Sequence, residues 1–193
     1  MVCCVVPLVS PAQAVETCQP GPRADCSGVD LRNRDLSGLD LTGANFMGAD
    51  LSGARLTEVI ATGANFTRAQ LSGANLQAAT LERARFVRAN LTDVDALDAN
   101  FTEANLSRAN LTGAELSNAH LVKTNLTRAN LTDAQVYGSY WTGTRVLRTN
   151  LRGVDMSQIQ SDEQGSAKLR RDLGFSLQCQ TRLPDGRLSN RDC

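Results

Sequence analysis

Little in this chain is equipped for chemistry. One histidine, His120, is all it offers, and aromatic side chains make up only 4% of it. Acidic and basic residues, twenty of each, cancel to a formal net charge of zero, so net charge implies no strong polyelectrolyte partner. No G-x-S-x-G, CxxC, phosphate-binding glycine loop or calcium-type G-G-x-G-x-D pattern occurs. These gaps remove the usual constellations for an enzyme, a metal centre or a cofactor site. No internal apolar run is long enough to span a bilayer. With so few aromatics, any core must be built mainly from leucine and alanine.

The first fourteen residues, MVCCVVPLVSPAQA, carry no charge and end in an A-x-A pattern. They read as a signal peptide with a mature start near Val15, although the basic n-region is missing. An apolar or lipid-anchored N-terminus is the bland alternative. Export implies a periplasmic, extracellular or thylakoid-lumen location. Removal of Cys3 and Cys4 would leave Cys18, Cys26, Cys179 and Cys193, with three possible connectivities. Their grouping at the two ends favours Cys18–Cys26 and Cys179–Cys193 in an oxidising compartment. A zinc site is the alternative, with His120 far from both pairs in sequence.

From Leu31 to Met156 every fifth residue is a register position, 26 in succession, of which sixteen are Leu and four are Phe. Two places earlier Ala dominates, Asp or Asn commonly comes directly before, and Ser, Thr or Arg then Gly often follow. Five residues turn a helix by about 140°, which scatters the leucines. On a strand an odd step sends them to alternate faces. A bend in each five absorbs the odd residue, so Ala and Leu point inward and polar residues occupy turns. Stacked turns of this kind form a solenoid, each repeat buried by its neighbours. At Ala61 and Ala96 the residue two before is Val59 or Val94, a swap of large and small that keeps the pair's volume constant. A local slip using Ile60 or Leu97 is the rival reading.

The A-(D/N)-(L/F)-(S/T/R)-(G/x) pattern over Val29–Met156 resembles the pentapeptide-repeat proteins. The resemblance implies an all-β fold, a right-handed quadrilateral β-helix with four pentapeptides per coil and about 6.5 coils here. Phe46, Phe66 and Phe86, twenty apart, would then form one core column. The expected organisation is a signal peptide at 1–14, an N-terminal loop at 15–28, the β-helix at 29–158 and a cap at 159–193. Arg34, at an inward position, marks the first coil as irregular. In the cap, Ser161-Asp162-Glu163-Gln164 reads as a capping box and Gly174 as a stop, giving a helix over about 162–173. Leu183-Pro184-Asp185-Gly186 signals a turn in a disulfide-tied hairpin or loop.

Seven N-x-S/T sequons arise from the repeat itself and say little about glycosylation. His120 takes a usual Asn/Asp position. Tyr137 and Tyr140, at outward positions, form a candidate exposed patch, against the alternative of packing under the cap. The leading expectation is a non-enzymatic, exported structural or protein-interaction module. It implies an unknown protein partner, no nucleic acid, no membrane span, no metal and no cofactor, as a monomer or end-to-end dimer. The family resemblance supplies an alternative, a DNA-mimic binder of DNA gyrase. Such mimicry needs an acidic surface, whereas Ser27–Gln160 holds thirteen acidic and thirteen basic residues.

Overall fold

The computed structural model describes residues 18–174, 176 and 178–191. The expected signal segment and Cys193 lie outside the described residues. The chain turns a corner every five residues. At Leu41-Thr42-Gly43-Ala44 the Ala44 amide donates to the Leu41 carbonyl at 3.0 Å, with Gly43 at φ +67°. A closed four-residue turn with positive φ only at its third position is type II. The same third position has positive φ at every turn from Arg23 to Gly153.

One residue of each five pairs in parallel with the residue twenty further on, from Asp25 with Asn45 to Tyr140 with Gln160, except at Gln135, whose counterpart Asp155 pairs with Arg182 instead. Around Phe46 the ladder reads Phe46 N to Asn65 O at 2.8 Å, Gly48 N to Thr67 O at 2.9 Å and Asn65 N to Ala44 O at 2.8 Å. Twenty residues with a turn every five give four sides per coil. Turns this frequent leave no room for long strands, so each side contributes one paired residue per coil. Ala and the register residue face inward throughout. Ala61, Val59, Ala96 and Val94 are buried while Ile60 is exposed, which decides for volume exchange over a register slip.

The N-terminal end differs from expectation in two ways. The coil begins before residue 29: Pro22 and Arg23 already form a turn, and Cys26 occupies a fully buried register position. Cysteine is small and apolar enough to serve there, and a pattern defined by Leu and Phe passes over it. The first coil is also regular in its backbone. Arg34 O accepts from Arg55 N at 2.9 Å, while the Arg34 side chain is exposed, with no earlier coil over it among the described residues.

At the other end, helix α1 (Glu163–Leu173) follows the last coil. Its N-cap is Asp162, not Ser161: Asp162 Oδ1 accepts from Gly165 N at 2.5 Å, a short carboxylate cap well matched to the helix dipole. Gly174 ends α1 in a right-handed conformation, φ −58°, so the stop is not a left-handed glycine cap. Leu169 and Leu173 are buried against the solenoid core. Lys168 Nζ donates to Gly143 O at 2.7 Å and Val146 N donates to Asp172 Oδ2 at 3.3 Å, giving partners to coil groups with no following coil. Strands β1 (Thr181–Arg182) and β2 (Leu188–Ser189) form an antiparallel hairpin. Its turn closes from Gly186 N to Leu183 O at 2.9 Å. Met156 N donates to Arg182 O and Arg182 N to Val154 O, so β1 occupies the place of a further coil on that side.

Candidate functional surface

Cys26 and Cys18 are joined in a disulfide with Cα atoms 5.2 Å apart, which fastens the chain entering the first coil to its core. Cys179 is disulfide-bonded as well; Cys193 lies outside the described residues. Above Cys26 in the same column stand Phe46, Phe66 and Phe86, with ring centroids 5.1 and 4.8 Å apart and planes within 7° of parallel. Phe101 meets Phe86 edge-on at 5.8 Å from the adjoining side. These residues are interior and touch no ligand surface.

Tyr137 and Tyr140 are both exposed, Tyr140 the less so. Tyr137 sits in the turn closed by Ser139 N on Val136 O and is 66% exposed. Tyr140 begins the next side, where its ring lies 4.6 Å from that of His120 one coil earlier. His120 is therefore an aromatic contact partner, its ring tilted 41° from that of Tyr140. The asparagines of the sequons are also engaged. Asn110 Oδ1 accepts from Thr112 N and Thr112 Oγ1, and Asn130 Nδ2 donates back to Thr112 Oγ1 at 2.8 Å. Asn150 repeats this contact on Thr132 at 2.9 Å. Among the described residues no group of three or more His, Cys, Asp or Glu side chains is placed to hold a metal ion.

Sorting outward residues by their position in the twenty-residue coil exposes a feature that the running sequence hides. The third turn position along one edge reads Gly28, Gly48, Arg68, Arg88, Arg108, Arg128, Arg148. Five arginines stand one above another, about 4.8 Å per coil. All are exposed, and among the described residues no carboxylate lies within ion-pair distance of any of them. Arg85 and Arg145 add to the same side. Beside the ladder runs an open trough of about 790 Å³ with Thr67, Val87, Ser107 and Thr127 along it and no acidic residue in its lining. The diagonally opposite side carries Asp35, Glu58, Asp95, Asp98, Glu115 and Asp155 against Arg55 and, from β1, Arg182, which lies 3.4 Å from Asp155. A net charge of zero thus conceals a basic flank and an acidic flank. The spacing of twenty that reveals the phenylalanine column was the available signal for this one.

Stability does not select the ladder. Each arginine has φ between +60° and +62° except Arg148 at +57°, a conformation that costs an L-residue roughly 1–2 kcal/mol and glycine almost nothing. Stacked like charges add repulsion of about 1 kcal/mol per 4 Å pair even in water. Other edges carry the same backbone cost, as at Arg83, Glu103 and Lys123, but place their charges differently. Along another edge Glu103 lies between Arg83 (3.0 Å) and Lys123 (3.3 Å), and hydrogen bonds from both hold its carboxyl below the ordinary glutamate value. In the first coil, the Arg32 side chain brings Asp30 down to about 2. Hydrogen bonds from Ser27, Ser37 and Thr42 lower Asp25, Asp35 and Asp40 in the same direction.

Comparison with known proteins gives a consistent result. A family model described as pentapeptide repeats matches in eight copies, over residues 24–60, 69–108, 97–133 and 129–160, which is more than half of the chain. Among solved structures, HetL, a pentapeptide repeat protein involved in heterocyst differentiation regulation in the cyanobacterium Nostoc, is 27% identical with a TM-score of 0.46. The match covers 87% of this chain and 76% of HetL. QnrB1, a plasmid-mediated fluoroquinolone resistance protein, is 18% identical with a TM-score of 0.41, covering 82% of this chain and 93% of that one. A pentapeptide repeat protein of the Arabidopsis thaliana thylakoid lumen is 25% identical with a TM-score of 0.29, covering 75% and 77%. No curated protein matches in sequence.

Proposed function

The chain belongs to the pentapeptide-repeat family, and on that premise we propose that it is a non-enzymatic, exported module that offers a rigid β-solenoid surface to a protein partner. The observation that carries the reading is the coil-on-coil backbone pairing from Asp25 to Gln160, interrupted between Gln135 and Asp155, which commits the buried inward side chains to the core and leaves whole flanks for contact. We read the coil as right-handed, with the Cys18–Cys26 disulfide fastening the entry to the first coil and α1 with the β1–β2 hairpin closing the other end. The C-terminal cap denies other chains an open strand edge there and favours contact through the flanks. The alternative, a DNA-mimic binder of gyrase, needs an acidic surface along its length. The arginine ladder is the observation against it.

Affinity capture from the native compartment, combined with N-terminal sequencing of the mature chain, tests the proposal. A specific protein partner and a mature start near Val15 are the expected results. Inhibition or protection of gyrase by the purified protein, or a cytosolic chain with free thiols, would overturn it.

A further inference from the structure

We infer that the arginine ladder and its trough are a binding site for a linear polyuronate, an extended polysaccharide bearing one carboxylate on every sugar. The ladder supplies five guanidinium groups in a straight line, free of competing carboxylates, beside a trough without acidic lining. Guanidinium is the cation whose planar donors grip a carboxylate through two hydrogen bonds. The left-handed turn position is common to every edge, but charge repulsion opposes a row of arginines, and among the described residues no ion pair within the fold offsets it.

Arginines recur once per coil, about every 4.8 Å. A polyuronate carries one carboxylate on every sugar of a regular linear chain; successive carboxylates turn to different sides, and the long arginine side chains reach them from the row. Single-stranded nucleic acid gains much of its hold from aromatic rings that stack on bases. The trough offers Met47, Thr67, Val87, Ser107, Thr127 and Leu147 in that place, with no ring among them. Hydroxyls and small apolar groups suit the mixed surface of sugar rings. A folded acidic protein would have to match a straight row of exposed ion pairs, each of little worth alone. A polyelectrolyte instead gains affinity by releasing condensed counterions at every contact.

The test is retardation of the full chain in gels containing polygalacturonate, with isothermal titration over a series of salt concentrations. The wild type should be retarded, and binding should weaken steeply as salt rises. Arg88→Gly/Arg108→Gly/Arg128→Gly should lose at least about tenfold in affinity while its melting temperature is kept or raised, because glycine accepts the left-handed turn position. Arg88→Gln/Arg108→Gln/Arg128→Gln provides the same test should the glycine variant fail to fold. Arg83→Gln/Lys123→Gln, on another edge, should bind as the wild type does. The assignment is overturned if the wild type ignores polygalacturonate or the folded ladder variants bind it normally. Equal or tighter binding of oligo-dT or polyglutamate at matched charge also overturns it.

Discussion

On the edge through residues 83, 103 and 123, Glu103 stands between cations one coil away on either side and pairs with both. On the edge through residues 68 to 148 no carboxylate interrupts five arginines. The two edges share the same type II turn and the same positive φ, so the backbone asks the same of both. What differs is how charge is placed. The alternating edge does what folding alone favours, since every cation finds a counter-ion already in the chain. The uniform edge leaves its charges to be answered by something else. In a repeat protein, where most residues are set by the coil, this contrast separates surface written by the fold from surface written for a ligand.

The largest expected effect sharpens that separation from the inside. Phe66→Ala removes the middle ring of the stacked column beneath the ladder and should cost about 3–5 kcal/mol, lowering the melting temperature by about 10 °C for a chain of this size. Polygalacturonate binding, measured well below that melting point, should not change. Core and edge would then be shown to be independent. Loss of binding in the folded variant would mean that the ladder depends on the column for its alignment.

The core column was legible before the structure because its signal is chemical: large apolar residues at a fixed period can have only one purpose. Cys26 escaped because it fits the register by size and not by type. The ladder escaped because arginine after Ser, Thr or Val at a turn looks like an ordinary solvated residue. Its meaning lies in the stacking of residues twenty apart, which a reading by fives does not compare. The exposure of Tyr137 and Tyr140 was legible from their outward positions, but the contact of Tyr140 with His120, twenty residues back, was not, for the same reason.

A smaller effect comes from exchanging the two edges' charge patterns. Arg108→Glu would place a carboxylate between Arg88 and Arg128, copying the arrangement around Glu103. Exposed pairs of this kind contribute about 0–1 kcal/mol, so thermal stability should rise slightly if at all. Polygalacturonate affinity should fall by more than about tenfold, since one contact is lost and a repulsion is gained. Glu103→Arg is the converse, with slightly lower stability and measurable new affinity on its own edge. If Arg108→Glu left the salt dependence of binding untouched, the ladder would not be acting as a continuous row.

The smallest effect is in pH, and only one of the two edges should show it. Hydrogen bonds and charge from Arg83 and Lys123 hold Glu103 below the ordinary glutamate value of 4.5. A carboxyl lowered on folding lends stability above its unfolded value and loses it as pH falls through its folded one. At neutral pH Glu103→Gln should therefore melt slightly below the wild type, and the two curves should converge as pH drops below about 4.5. The ladder has no carboxyl to titrate, so the offset between Arg108→Gln and the wild type should stay constant over the same range. Asp30→Asn provides a scale, because Asp30 is held down to about 2. Its offset from the wild type should persist to lower pH than that of Glu103→Gln. Convergence of the Arg108→Gln and wild-type curves in the Glu103 window would reveal a carboxylate partner on the ladder and undo the contrast between the edges.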